Sequence, residues 1–172
     1  YVTAIDEFRN KYGSLPGDMP NAQNYWGVQH ATPATCTTTA STTALTCNGN
    51  GNGKIGNMGT SEEYEAFRFW QHLSNAGMID GNFTGVRGSL TTRHAVIGQN
   101  VPASKVPGSG FSITYYDAST AGHSSRFLVE SYRHQFNFGG QTDIRGGYET
   151  YEPMITATEA SGISSCGSQG CS

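Results

Sequence analysis

The sequence predicts an α+β fold: an N-terminal α-helix packed on an antiparallel sheet of three to four strands, with a second helix in the connecting region. Two helical stretches and one change of period predict it. Apolar residues recur at three- and four-residue steps at the start of the chain and again from Tyr64, and beyond residue 94 the period changes to two. A chain of 172 residues is the size of one domain, with room for a real core. The expected segments are 1–12 for the first helix, 13–60 for a connecting loop region, 61–77 for the second helix, 94–155 for the sheet and 156–172 for a disulfide-tied tail.

Val2, Ile5, Phe8 and Tyr12 form the apolar stripe of the first helix, with Asp6, Glu7, Arg9 and Lys11 on its other face. No N-cap precedes them, so Tyr1 reads as the middle of a helix that begins upstream, and Gly13 is the natural stop. Tyr1, Ile5, Phe8 and Tyr12 are expected to pack on the sheet. Pro16-Gly17-Asp18 signals a turn, and Pro20 blocks helix a second time. Residues 31 to 46 are almost all Thr, Ser and Ala, which reads as an exposed loop.

Thr60-Ser-Glu-Glu63 has the form of a capping box, and behind it Tyr64, Phe67, Trp70 and Leu73 repeat at helical spacing up to Gly77. This second helix is expected to be amphipathic and to lay its aromatics onto the sheet. The runs "HAVIGQNV", "FSITYYDA", "RFLVESYRHQFNF" and "TDIRGGYETYEPM" supply the strands.

Only 13% of residues are charged, the net charge is -3, and the ten basic residues are scattered, so nothing recommends nucleic acid as a partner. The four cysteines allow three pairings, of which the local one, Cys36 with Cys47 and Cys166 with Cys171, is the economical reading because each pair closes a short loop. Their spacing matches neither a redox motif nor a zinc ribbon, and local disulfides fit an exported protein.

The catalytic motifs are missing. "GHSSR", Gly122 to Arg126, ends in arginine where a hydrolase elbow needs glycine, and the histidines lack metal-ligand spacing. Glu62, Glu63 and Glu65 cluster where the helix dipole favours carboxylates, which explains them without chemistry. The chain is therefore not expected to be an enzyme. No cofactor is expected either, and calcium is the one ion to weigh, at "CNGNGNGKIG". Asn48, Asn50 and Asn52 occupy alternate positions there, as in the first half of a calcium loop, but the closing glutamate is missing, so Glu62, Glu63 or a distant Asp would have to fold over the ion. The competing reading is an array of turns built on residues that tolerate positive φ.

"AIDEFRNKYGSLPGDMPNAQNYWG", followed by the glycine-rich Asn loop and "EEYEAFRFWQHLSNAGMIDG", resembles the soluble part of type IV pilin-like proteins and type II secretion pseudopilins. The resemblance rests on Leu-Pro-Gly-Asp after the first helix and Trp-x-His-Leu-x-x-Ala-Gly in the second, and covers roughly residues 1 to 82. A weaker echo lies in "ITATEASGI", but the tail "SGISSCGSQGCS" lacks the acidic residues expected after it. The resemblance implies a pilin-like fold, with residues 1 to 12 as the soluble end of a long hydrophobic helix. It further implies a subunit of a type IV pilus or pseudopilus-type filament, with copies of itself or related subunits as partners. Such a subunit would sit in the bacterial inner membrane and periplasm before assembly, and in a periplasmic or extracellular filament after it. The alternative from a different class is a secreted surface-binding or adhesion module outside any filament.

Overall fold

Helix α1 (Val2–Tyr12) ends where the sequence stops favouring it: Gly13 takes a left-handed φ of 68° and its amide donates to the Arg9 carbonyl at 2.8 Å. Arg9 and Lys11 sit in the last turn, where positive charge suits the helix dipole. The computed structural model describes residues 1–56, 64–89, 94–115 and 134–140. Along them follow two single-turn helices, α2 (Gln23–Trp26) and α3 (Pro33–Cys36), then α4 (Glu65–Asn75), β1 (Ser109–Tyr115) and β2 (His134–Gly140). The architecture is mixed helix and sheet, and the described strands form one two-stranded antiparallel sheet.

Helix α4 lies at the centre of the described residues. It contacts both α1 and β1, and Glu65 and every residue from Phe67 to Leu73 are buried. Gly77 stops it with φ 70°: the Gly77 amide donates to Ser74 and the Met78 amide to Leu73, so two end carbonyls are satisfied. The Phe69 and Trp70 rings lie 6.3 and 5.9 Å from Phe136 of β2, and Phe136 pairs in register with Ile113 of β1. Phe8, Phe69, Trp70 and Leu73 are fully removed from water, each worth about 2–3 kcal/mol of transfer free energy.

Three expectations change. The first concerns α1, whose Phe8 ring neighbours Tyr12, Trp26 and His72, so its lower half packs on α4 and the α2 turn, while the Tyr1 ring lies 5.3 Å from Phe111 of the sheet. Ile5 and Tyr12 are partly buried against the same core. The second is that "HAVIGQNV" is a turn: Asn100 Oδ1 accepts from the Val96 amide at 2.7 Å, and Asn100 Nδ2 donates to the Val86 and His94 carbonyls. A buried Asn side chain that satisfies three backbone groups outcompetes ladder pairing there. The third concerns α4, whose polar stripe is buried as thoroughly as its aromatic one. Residues 116–133 and the run from 142 to 154 lie outside the described residues, as do Thr60, Glu62, Glu63, Cys166 and Cys171.

Candidate functional site

The residues singled out in the sequence converge on one junction between the Leu-Pro-Gly-Asp turn, the Asn-Gly loop and α4. Asp18 is buried, and its carboxylate accepts the Asn52 amide at 2.9 Å on Oδ1 and the Gly53 amide at 2.8 Å on Oδ2. Left-handed Gly51 and Gly53, φ 74° and 79°, turn the loop's amides toward it. The Gly51 amide donates to the Asp18 carbonyl and the Gly49 amide to the Met19 carbonyl, both at 2.9 Å. A second buried carboxylate, Glu65 at the start of α4, accepts the Asn50 amide at 3.0 Å. The loop thus closes around protein carboxylates with its N–H groups inward.

The asparagine oxygens serve the backbone as well. Asn48 Oδ1 accepts from the Gln23 amide, Asn50 Oδ1 from the Asn52 amide and Asn52 Oδ1 from the Lys54 amide, at 2.9, 3.0 and 2.8 Å. Tyr64, just before α4, donates its hydroxyl to the Asn48 carbonyl at 3.3 Å. The last two asparagine contacts are Asx turns, which is the turn-array reading. Among the described residues no group of three or more His, Cys, Asp or Glu is placed to hold a metal. Millimolar calcium is expected to leave the melting temperature unchanged. A rise of several degrees would show that carboxylates such as Glu62 and Glu63 complete a site.

Close approach of backbones makes the junction sterically exacting. A Cβ on Gly49 would run into the Gly17 carbonyl oxygen and lie 2.5 Å from the Asp18 Cα. Gly49→Ala should therefore cost about 2–3 kcal/mol, since backbone on both sides must shift. Gly13→Ala, left-handed but with nothing within 4 Å of the added carbon, should cost only about 1 kcal/mol. Chemical denaturation of both variants checks the ordering.

On the opposite stripe of α4, Arg68, Gln71 and His72 lie on one face and enter a buried network under the disulfide loop. The Gly17 amide donates to His72 Nδ1 at 3.0 Å, which leaves the ring proton on Nε2, and Nε2 donates to Thr46 Oγ1 at 2.9 Å. Thr46 Oγ1 donates onward to Gln71 Oε1 at 2.7 Å, an oxygen that also accepts from Arg68 Nη1 at 2.7 Å. Arg68 Nη2 donates to the Cys36 and Thr39 carbonyls, and Gln71 Nε2 to the Leu45 carbonyl. Cys36 and Cys47 are disulfide-bonded, both sulfurs buried, and close this loop over α4. The Thr-rich stretch turns most side chains to solvent while its carbonyls point in, a division that composition cannot announce.

Burial, reinforced by the Arg68 charge, holds the His72 pKa down at about 3, and the same desolvation lowers Arg68 to about 10, where it stays cationic at neutral pH. A neutral imidazole with both nitrogens committed to structural partners is not a proton shuttle. It does impose acid sensitivity. Between pH 6.5 and 3 the unfolded chain takes up a proton that the folded chain refuses, so the stability from His72 is complete above about pH 6.5 and is lost on acidification. The slope approaches about 1.4 kcal/mol per pH unit. Urea titrations from pH 7.5 to 4 on wild type and His72→Gln should show the shallower fall in the variant; parallel falls would place the acid sensitivity elsewhere.

Phe67, Trp70 and Leu73 lie in the core as their spacing predicts, whereas Asp18, Thr46, Arg68 and Gln71 are not singled out by the sequence, and Glu65, read there only as a partner of the helix dipole, is buried and binds the Asn-Gly loop. Alternating Asn-Gly pairs were the available signal, because left-handed glycines expose consecutive amides that suit an anion as readily as asparagine oxygens suit a cation. Among the described residues no helix is long and apolar enough to cross a membrane. Compared with protein-family models, with curated proteins and with solved structures, the chain matches none.

Proposed function

We propose that this chain is a structural subunit of a type IV pilus or pseudopilus-type filament, with a pilin-like fold whose sheet has three to four strands. The observation that carries this reading is the contact between its two resemblance motifs. Gly17 of Leu-Pro-Gly-Asp donates its amide to His72 of Trp-x-His-Leu, and Asp18 beside it anchors the Asn-Gly loop. Motif residues spent on locking a helix, a turn and a loop together suit a load-bearing part better than a reactive centre. The exposed face of α1, with Val2 65% accessible, is available for contacts along a filament axis. Copies of the same chain or related subunits are the partners, the bacterial inner membrane and periplasm the station before assembly, and the filament the station after it.

Immunogold labelling of sheared filaments with antibody raised against residues 1–172 tests the reading. Label repeating along filaments is the expected result. Label confined to soluble secreted protein would favour a surface-binding module and overturn the proposal.

A further inference from the structure

Among the described residues two clefts flank α1, and they carry opposite charge. The first, about 670 Å³, lies beside the N-terminal half of the helix, between Thr3, Ala4 and Glu7 and the segment Met78 to Gly81. Its described lining carries the carboxylates of Glu7 and Asp80, both exposed, and no Lys, Arg or His. Met78, Ile79 and Phe83 give it an apolar floor. The second, about 610 Å³, lies at the C-terminal end of α1, against Gly13 to Leu15 and the Asn-Gly loop, and brings Arg9 and Lys54 to one opening. The acid in its described lining is Asp18, whose two oxygens are turned onto the Asn52 and Gly53 amides.

We infer that the acidic cleft beside Glu7 and Asp80 docks the Arg9–Lys54 side of a second copy of this chain, head to tail. The inference rests on the filament reading and supplies it with a lateral contact between folded domains. Charge complementarity selects the partner: the surface that fits each cleft is present on every other copy. Geometry selects the mode of assembly. Glu7 and Arg9 are two residues apart on a helix and so point about 200° apart around its axis. Clefts on opposite flanks cannot both engage one partner in a closed two-fold dimer, so the contact is heterologous and repeats from copy to copy. A net charge of only -3 leaves little overall repulsion to oppose it.

Sedimentation of the chain, amino-terminally acetylated so that Tyr1 adds no charge to the acidic cleft, tests this. Self-association should weaken about tenfold as salt rises from about 20 to about 300 mM, where the screening length falls to about 6 Å. Glu7→Lys with Asp80→Lys should be monomeric, as should Arg9→Glu with Lys54→Glu. Mixed, the two variants should assemble with each other, because their two intact faces still match and their two reversed faces carry opposite charge as well. Since Glu7, Asp80 and Arg9 are exposed, unchanged melting is expected for the first variant, and Arg9→Glu alone substitutes for the second should Lys54→Glu unfold the chain. Monomers at every salt, a closed dimer indifferent to these charges, or variants that fail to pair would each overturn the inference. Monomers together with filaments that still label would overturn this contact alone; pairing variants with no labelled filament would overturn the filament reading alone.

Discussion

Replacing Arg68 by alanine is expected to lower stability by about 4 kcal/mol, in the range found when one member of a buried charged network is removed. The guanidinium is fully buried and donates to Gln71 Oε1 and to the Cys36 and Thr39 carbonyls. Alanine leaves those acceptors without their donor in a space water enters poorly, and adds a cavity. For a domain of this size the loss amounts to about 10 °C in melting temperature. The disulfide and the arginine act on the same loop, so their effects should not add. Cys36→Ser with Cys47→Ser should cost about 3 kcal/mol by loop-closure entropy across a sequence separation of 11. In that background the carbonyls are no longer held over α4, and Arg68→Ala should cost about 1–2 kcal/mol less than in the oxidised protein. Thermal or urea unfolding of the four proteins closes the cycle, and strict additivity would show that the loop keeps its carbonyls in place without its crosslink.

Asp18→Ala is the second large effect, about 3 kcal/mol. Two charge-assisted hydrogen bonds disappear, and the Asn52 and Gly53 amides lose the anion around which the loop turns. Asp18→Asn, which keeps one acceptor oxygen but not the charge, should fall about midway. Equal losses for the two variants would mean that packing of the Asp18 side chain, and not its charge, carries the contribution.

The helices were legible because a helix advertises its buried stripe every third or fourth residue: Phe8 and Tyr12 in α1, Phe67, Trp70 and Leu73 in α4. The Cys36–Cys47 pairing was legible from locality. What escaped was polar. Arg68, Gln71 and His72 fall on the stripe that hydropathy assigns to solvent, and their partners are mostly backbone carbonyls and a threonine hydroxyl, which leave no sequence signature. "HAVIGQNV" misled for a related reason: its β-branched residues suggest a strand, while the side chain of Asn100 closes a turn that Gly98, at φ 79°, makes feasible. The Asn-Gly pairs allow a set of turns as one of two readings, but the carboxylate at the loop's centre lies 34 residues upstream of Asn52.

The bonds of Asp18, Glu65 and His72 tie the Leu-Pro-Gly-Asp turn, the Asn-Gly loop and α4 into one junction, which should open as a single cooperative unit. Native-state hydrogen exchange at the Gly17, Asn52 and Gly53 amides measures it directly. Although 51–53 form a surface loop of Asn and Gly, these amides should be protected to the same free energy as the interior of α4, and Asp18→Ala should release Asn52 and Gly53. Exchange of Asn52 and Gly53 at the rate of open chain while α4 stays protected would contradict the account.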